Sequence, residues 1–96
     1  MNNIPEHKKE FYEKTYLTKN WKKVDIEHNK KIQETIGRSA QKELLRAAHS
    51  IYDVAQRMED PKLKTELLKI FDDLVYSAGA YYEIRKDDGR LEFLGF

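Results

Sequence analysis

His49 and Asp53 fall one helical turn apart, and they are the chain's best local candidate for a metal-ligand pair. Such a pair needs further ligands, which a second copy of the helix could bring by dimerisation. Two residues on a polar face more often remain a solvated histidine with a carboxylate neighbour, and that outcome is preferred. His7 beside Glu6 and His28 beside Glu27 are adjacent in sequence and diverge on a helix. Nucleophilic catalysis requires a serine, threonine or lysine held beside a base. Ser39, Ser50 and Ser77 lie at helix ends or on helix faces without an elbow motif, and His49 diverges from Ser50. Asp72–Asp73 would be an acid pair for hydrolysis, but adjacent helical carboxylates are ordinarily just solvated. The four glycines are too scattered to cradle a phosphate. The chain has no cysteine, which excludes disulfides, thiolate metal sites and cysteine nucleophiles. No catalytic residue, metal site or cofactor is therefore predicted, and the expectation is a protein that is not an enzyme.

Two binding chemistries are better supported. The N-terminal half combines Lys8, Lys9, Lys14, Lys19, Lys22, Lys23, Lys30 and Lys31 with Tyr12, Tyr16 and Trp21, and Arg38 extends the patch. Cations for phosphates and rings for bases suit nucleic acid. Residues 1–49 carry 11 Lys+Arg against 7 Asp+Glu, whereas residues 50–96 carry 7 against 10, so the formal net charge of +1 conceals a basic half and an acidic half. Opposite halves can also simply pack together, and Glu6, Glu10, Glu13, Asp25 and Glu27 dilute the patch, so nucleic-acid binding ranks second. The second chemistry is protein recognition. Tyr76 is expected opposite the apolar stripe of its helix, and Tyr81, Tyr82, Phe93 and Phe96 crowd the last residues with Leu94. Aromatics of this density either seal a core or anchor a partner.

These residues are positioned by a strongly patterned stretch, Glu43 to Ala78. In the predicted helix 40–58, Leu44, Ala48, Ile51, Ala55 and Met58 run along the middle of a wide apolar arc, with Leu45 and Tyr52 on one flank and Ala47 and Val54 on the other. Asp60–Pro61 ends that helix and opens the next: Asp60 caps, Pro61 takes the first position, and the residue before proline avoids helical geometry. The second helix, 61–78, is expected to hold Leu63, Leu67, Leu68, Ile70, Phe71, Leu74, Val75 and Ala78 on one arc. So short a connection makes the two helices antiparallel neighbours. Both arcs are too wide for each other, so a further layer is required. The candidates are an N-terminal helix crossing the pair, with Ile26, Ile32, Ile36 and the aromatics of residues 1–24, or a second copy of the hairpin.

Around this hairpin, residues 1–24 form a basic aromatic arm with a helix from about Pro5 to Thr15, and residues 25–36 form a helix capped by Asp25. Gly37 either kinks one long helix or separates two, with Ser39 the cap of the second. Gly79 ends the last helix. Beyond it, Tyr81–Arg85 and Arg90–Leu94 flank Lys86-Asp87-Asp88-Gly89, which predicts a short β-hairpin within 80–96 that must pack on something to persist.

The expected fold is one mainly α domain, an antiparallel helical hairpin within a small three- or four-helix bundle, with a C-terminal β-hairpin and homodimerisation as the preferred assembly. No apolar run is long enough to span a membrane, and the N-terminus does not resemble a signal peptide, which points to the cytoplasm. The function expected is a non-catalytic binding protein that regulates or inhibits a partner protein. Immunity proteins, antitoxins and phage-encoded inhibitors share these traits of size and surface, an analogy of class only.

Overall fold

A computed structural model of the chain describes residues 6–17 and 24–94. Among these the order is α1 (Glu6–Thr15), α2 (Ile26–Arg57), α3 (Pro61–Ser77), β1 (Tyr81–Ile84) and β2 (Leu91–Leu94), mainly helical with a small two-stranded antiparallel sheet. Asp60 starts α3 as anticipated: its Oδ1 accepts from the backbone N–H of Lys62 at 2.9 Å, and Pro61 opens the first turn. Gly79 stops it. With φ +76 it turns the chain left-handed, its N–H donates to the carbonyl of Tyr76, and the N–H of Ala80 reaches back to Val75. This is the double bond pattern of a glycine-terminated helix.

The layer over the α2–α3 pair is not the N-terminal arm. Leu45 and Ala48 of α2 and Phe71 and Val75 of α3 form the core with Ala78 and Ala80, and the residues packed against it from above are Tyr82, Leu91 and Phe93 of the β-hairpin. α1 contributes no buried residue. The expectation that an N-terminal helix crosses the helical hairpin is corrected here. The chain that follows α3 closes immediately over it at small entropic cost, and the arm then lies on the sheet. There Leu17 N–H donates to Ile84 O at 2.6 Å and Lys86 N–H to Thr15 O at 2.9 Å, so residues 15–17 cover the free edge of β1. The hydroxyl of buried Tyr16 donates to Glu92 at 2.7 Å, and those of Tyr12 and Tyr81 meet at 3.2 Å.

The strands pair Tyr81 with Leu94, Tyr82 with Phe93, Glu83 with Glu92 and Ile84 with Leu91. Aspartate-glycine does not form a two-residue turn. The loop is Lys86–Gly89, Gly89 has φ +70, and its N–H donates to Arg85 O.

Gly37 interrupts α2 with φ +80 and ψ 167, a conformation open essentially to glycine alone. The helix resumes at once, so Ser39 lies within it and is not its cap. The break allows residues 26–36 to fold over the end of α3. Ile32 comes so near Gly79 that a Cβ there would stand 2.6 Å from the Ile32 Cβ.

Inward-facing positions on α2 also differ from the expected stripe. Gln41, Leu45, Ala48 and Ala55 are buried, while Leu44, Ile51 and Met58 are half-buried and Ala47 and Val54 exposed. The arc is turned toward its Leu45 flank because the sheet lies there. Gln41 is fully buried, and its Nε2 donates to the carbonyl of Ala78 at 2.9 Å, serving the C-terminus of α3. No partner for its Oε1 is found among the described residues.

Candidate functional site

Tyr76 closes the outer face of α3, and His28, on the first segment of α2, is brought to it by the break at Gly37. The two rings stack with centroids 4.0 Å apart and planes 6° apart, and His28 Nε2 lies 3.0 Å from the Tyr76 carbonyl. Tyr76 nevertheless stays 53% exposed. A large exposed aromatic is thereby held in one orientation, with one face on His28 and its remaining surface free to meet solvent or a partner.

Beside this pair is a cleft of about 250 Å³ lined by Val24, Asp25, Asn29, Asp72, Asp73, Val75, Tyr76, Ala80 and Tyr81. Its rim is acidic. Asp25 caps α2 by accepting the His28 N–H at 3.0 Å, and that hydrogen bond holds its carboxyl below the usual carboxylate range. Burial, reinforced by the hydrogen bond with Tyr12, holds the Tyr81 phenol protonated well above its ordinary pKa. No group in the cleft is arranged as a nucleophile with a base. What the arrangement can do is receive a cationic or aromatic side chain against aspartates and a fixed tyrosine.

The five aromatics singled out for partner contact are not brought together. Tyr82 and Phe93 turn inward, with ring centroids 4.7 Å and 6.3 Å from that of Phe71, and burial raises the Tyr82 pKa. Tyr81 is half-buried at the cleft, Tyr76 is exposed, and Phe96 lies outside the described residues. Among the basic residues, Lys8, Lys9 and Lys14 are exposed on α1, with Lys9 paired to Glu6 at 2.7 Å and Lys14 to Glu10 at 2.9 Å. Lys30, Lys31 and Arg38 are exposed on α2, whereas Lys19, Trp21, Lys22 and Lys23 lie outside the described residues.

His49 Nδ1 stands 3.4 Å from Asp53 Oδ2, both side chains half exposed. The His49 ring also meets the edge of Phe93 at 6.3 Å, above an open groove of about 330 Å³ whose other walls include Lys42, Arg46 and Ser50. Among the described residues no three metal-ligating side chains converge.

His28, Asn29 and Gln41 were not anticipated as positioning groups. Their partners, Tyr76, the cleft and Ala78, are supplied by elements far along the chain, so no local pattern marks them. The backward turn at Gly37 was the available signal, since a kink at that point decides what residues 26–36 touch.

The chain matches no protein-family model, no curated protein and no solved structure.

Proposed function

We propose that this chain is a non-catalytic protein that regulates or inhibits a partner protein by surface contact, with Tyr76 as the central anchor. The observation that carries the reading is the fixed tyrosine: half exposed, stacked on His28 and set beside an acidic cleft. Immobilising an aromatic before contact lowers the ordering cost of binding, and tyrosine is among the residues that dominate interface energies. The aspartates on the rim favour a partner segment carrying lysine or arginine. A role in the cytoplasm fits this reading; no helix among the described residues is long and apolar enough to cross a membrane.

The test is capture from the native host with tagged chain. Wild type should retain a partner that Tyr76→Ala binds at least about tenfold more weakly, the loss of one hot-spot side chain. Equal capture by the two would refute Tyr76 as the anchor.

Nucleic-acid binding keeps one observation in its favour: Lys30, Lys31 and Arg38 are exposed on α2 and form no ion pair among the described residues. A salt titration with generic DNA and RNA decides it. Binding that weakens steeply with salt and fails in Lys30→Glu/Lys31→Glu supports this alternative, and no binding at low salt removes it.

A further inference from the structure

The two outer edges of the sheet differ. Arg85 N–H donates to Arg90 O at 3.0 Å. Hydrogen-bonded pairs alternate along an antiparallel ladder, so Glu83 with Glu92 and Tyr81 with Leu94 turn their backbone groups toward each other. Tyr82 and Ile84 therefore turn theirs to the outer edge of β1, and Leu91 and Phe93 to the outer edge of β2. The β1 edge has an occupant. Ile84 O receives the N–H of Leu17, as the alternation requires, and Tyr16 bridges to Arg85. On the β2 edge, no hydrogen bond from beyond the sheet reaches Leu91 or Phe93 among the described residues. Two N–H and two C=O groups stand there as a template for another strand.

This edge also has a wall. Phe93 meets His49, so β2 is the strand beside α2, and the groove of about 330 Å³ lies between them. Leu45, itself buried, and Phe93 give it an apolar floor, and Lys42, Arg46, His49 and Ser50 complete the lining. No carboxylate lines the groove. Lys42 is exposed and has no ion pair among the described residues, and Arg46 is held by Glu43 at 3.1 Å, outside the lining.

We propose that this groove takes an extended acidic peptide of a partner protein, which adds to β2 as a third, antiparallel strand. Only an extended backbone presents N–H and C=O groups at the spacing of a strand edge. Peptide residues opposite Leu91 and Phe93 exchange both backbone hydrogen bonds with them, four bonds in all. Their side chains take the same face as those of Leu91 and Phe93, which pack toward the helices. The residues that bond to β2 are thus the ones that enter the groove. One meets the apolar floor, and the other brings a carboxylate to Lys42 and Arg46. The residue between them lies opposite Glu92 and points to the other face of the sheet. The segment recognised therefore alternates, with apolar and acidic residues on one face and neutral polar residues on the other.

The test uses the full chain and a capped eight-residue peptide, with valine and glutamate taking turns on one face and threonine throughout the other. Fluorescence polarisation should give a Kd of about 10–100 µM. At saturation the amide protons of Leu91 and Phe93 should exchange at least about tenfold more slowly, while that of Glu92, already paired with β1, is unchanged. N-methylation of the valines and glutamates removes the donors to β2 and should abolish binding. N-methylation of the threonines, whose N–H groups point away from β2, should leave the Kd within about threefold. Lysine in place of glutamate should weaken binding at least about tenfold, as should Lys42→Glu/Arg46→Glu, both exposed positions. The proposal is overturned by no binding at about 1 mM peptide, or by equal binding of the lysine peptide or the valine- and glutamate-methylated one. Slow exchange of Leu91 and Phe93 before peptide is added would show the edge already occupied, by a second copy or by the chain itself, and would also overturn it. Tyr76 lies on α3 at the cleft shared with Tyr81 of β1, so Tyr76→Ala should bind the peptide as wild type does, and failure of either reading leaves the other standing.

Discussion

The two faces of the α2–α3 hairpin have nearly the same residue chemistry and opposite fates. The face under the sheet buries Leu45, Ala48, Phe71 and Val75 to a few per cent exposure or less, and aromatics from both strands interlock above Phe71. The reverse face has Val54, Leu63 and Ile70 on equally regular helical spacing, and they remain about half exposed. Leucine and isoleucine do not choose their environment by hydropathy alone. What differs is which part of the chain can reach each face. The β-hairpin follows α3 after a turn at Gly79, so its strands fall on one side of the pair. Stability should accordingly reside mainly on the face under the sheet.

The sharpest way to break this comparison is to truncate one residue on each side. Phe71→Ala should cost about 3–5 kcal/mol, since it empties the centre of the core, while Ile70→Ala should cost under about 1 kcal/mol. Urea denaturation of the two neighbours measures the contrast directly, and equal losses would mean that the reverse face is already covered within one chain.

Next in size is the turn that sends the strands to their side. Gly79→Ala meets both left-handed backbone strain and the Ile32 side chain 2.6 Å away, for an expected loss of about 3 kcal/mol. Gly37→Ala carries strain in open space and should lose less, about 1–2 kcal/mol. Thermal melts of the pair separate crowding from strain. At the opposite end of α3, Asp60→Ala removes a cap that serves both faces equally and should cost about 1 kcal/mol.

The smallest effect concerns the arm that braces the sheet. Burial, then the hydrogen bond to Glu92, pushes the Tyr16 phenol up to about 12. The folded state favours the neutral phenol, so the contribution of Tyr16 is complete below pH 10, its ordinary value, and is lost as pH rises from 10 toward 12. Tyr16→Phe should therefore flatten part of the alkaline loss of stability, measured as urea midpoints at pH 9 and pH 11.5. An unchanged slope would show that the arm does not brace the sheet through this hydroxyl.

Much of this was legible from local pattern. Asp60-Pro61 marked a helix junction because capping and proline geometry act within a few residues, and the alternating runs around Lys86–Gly89 marked strands for the same reason. The surplus width of the two apolar arcs also followed from sequence, since it needs only the helical period. The identity of the cover did not. The N-terminal aromatics and the strand aromatics are equally suited to close a core, and only connectivity and register choose between them. Tyr82 and Phe93 became core for that reason, and Tyr76 remained outside.

The candidate site shows the same division more strongly. The outward position of Tyr76 can be derived from its helix alone. Its fixed orientation depends on His28, 48 residues away, and on a backward turn at a single glycine whose two outcomes the sequence left open. By itself, then, the sequence determined the helices, their junction, the strands and the need for another layer, all consequences of short-range periodicity and capping. The tertiary structure decided which segment fills that layer, which half of the apolar surface stays exposed, and which tyrosine is held in place, because those outcomes depend on contacts between residues far apart in the chain.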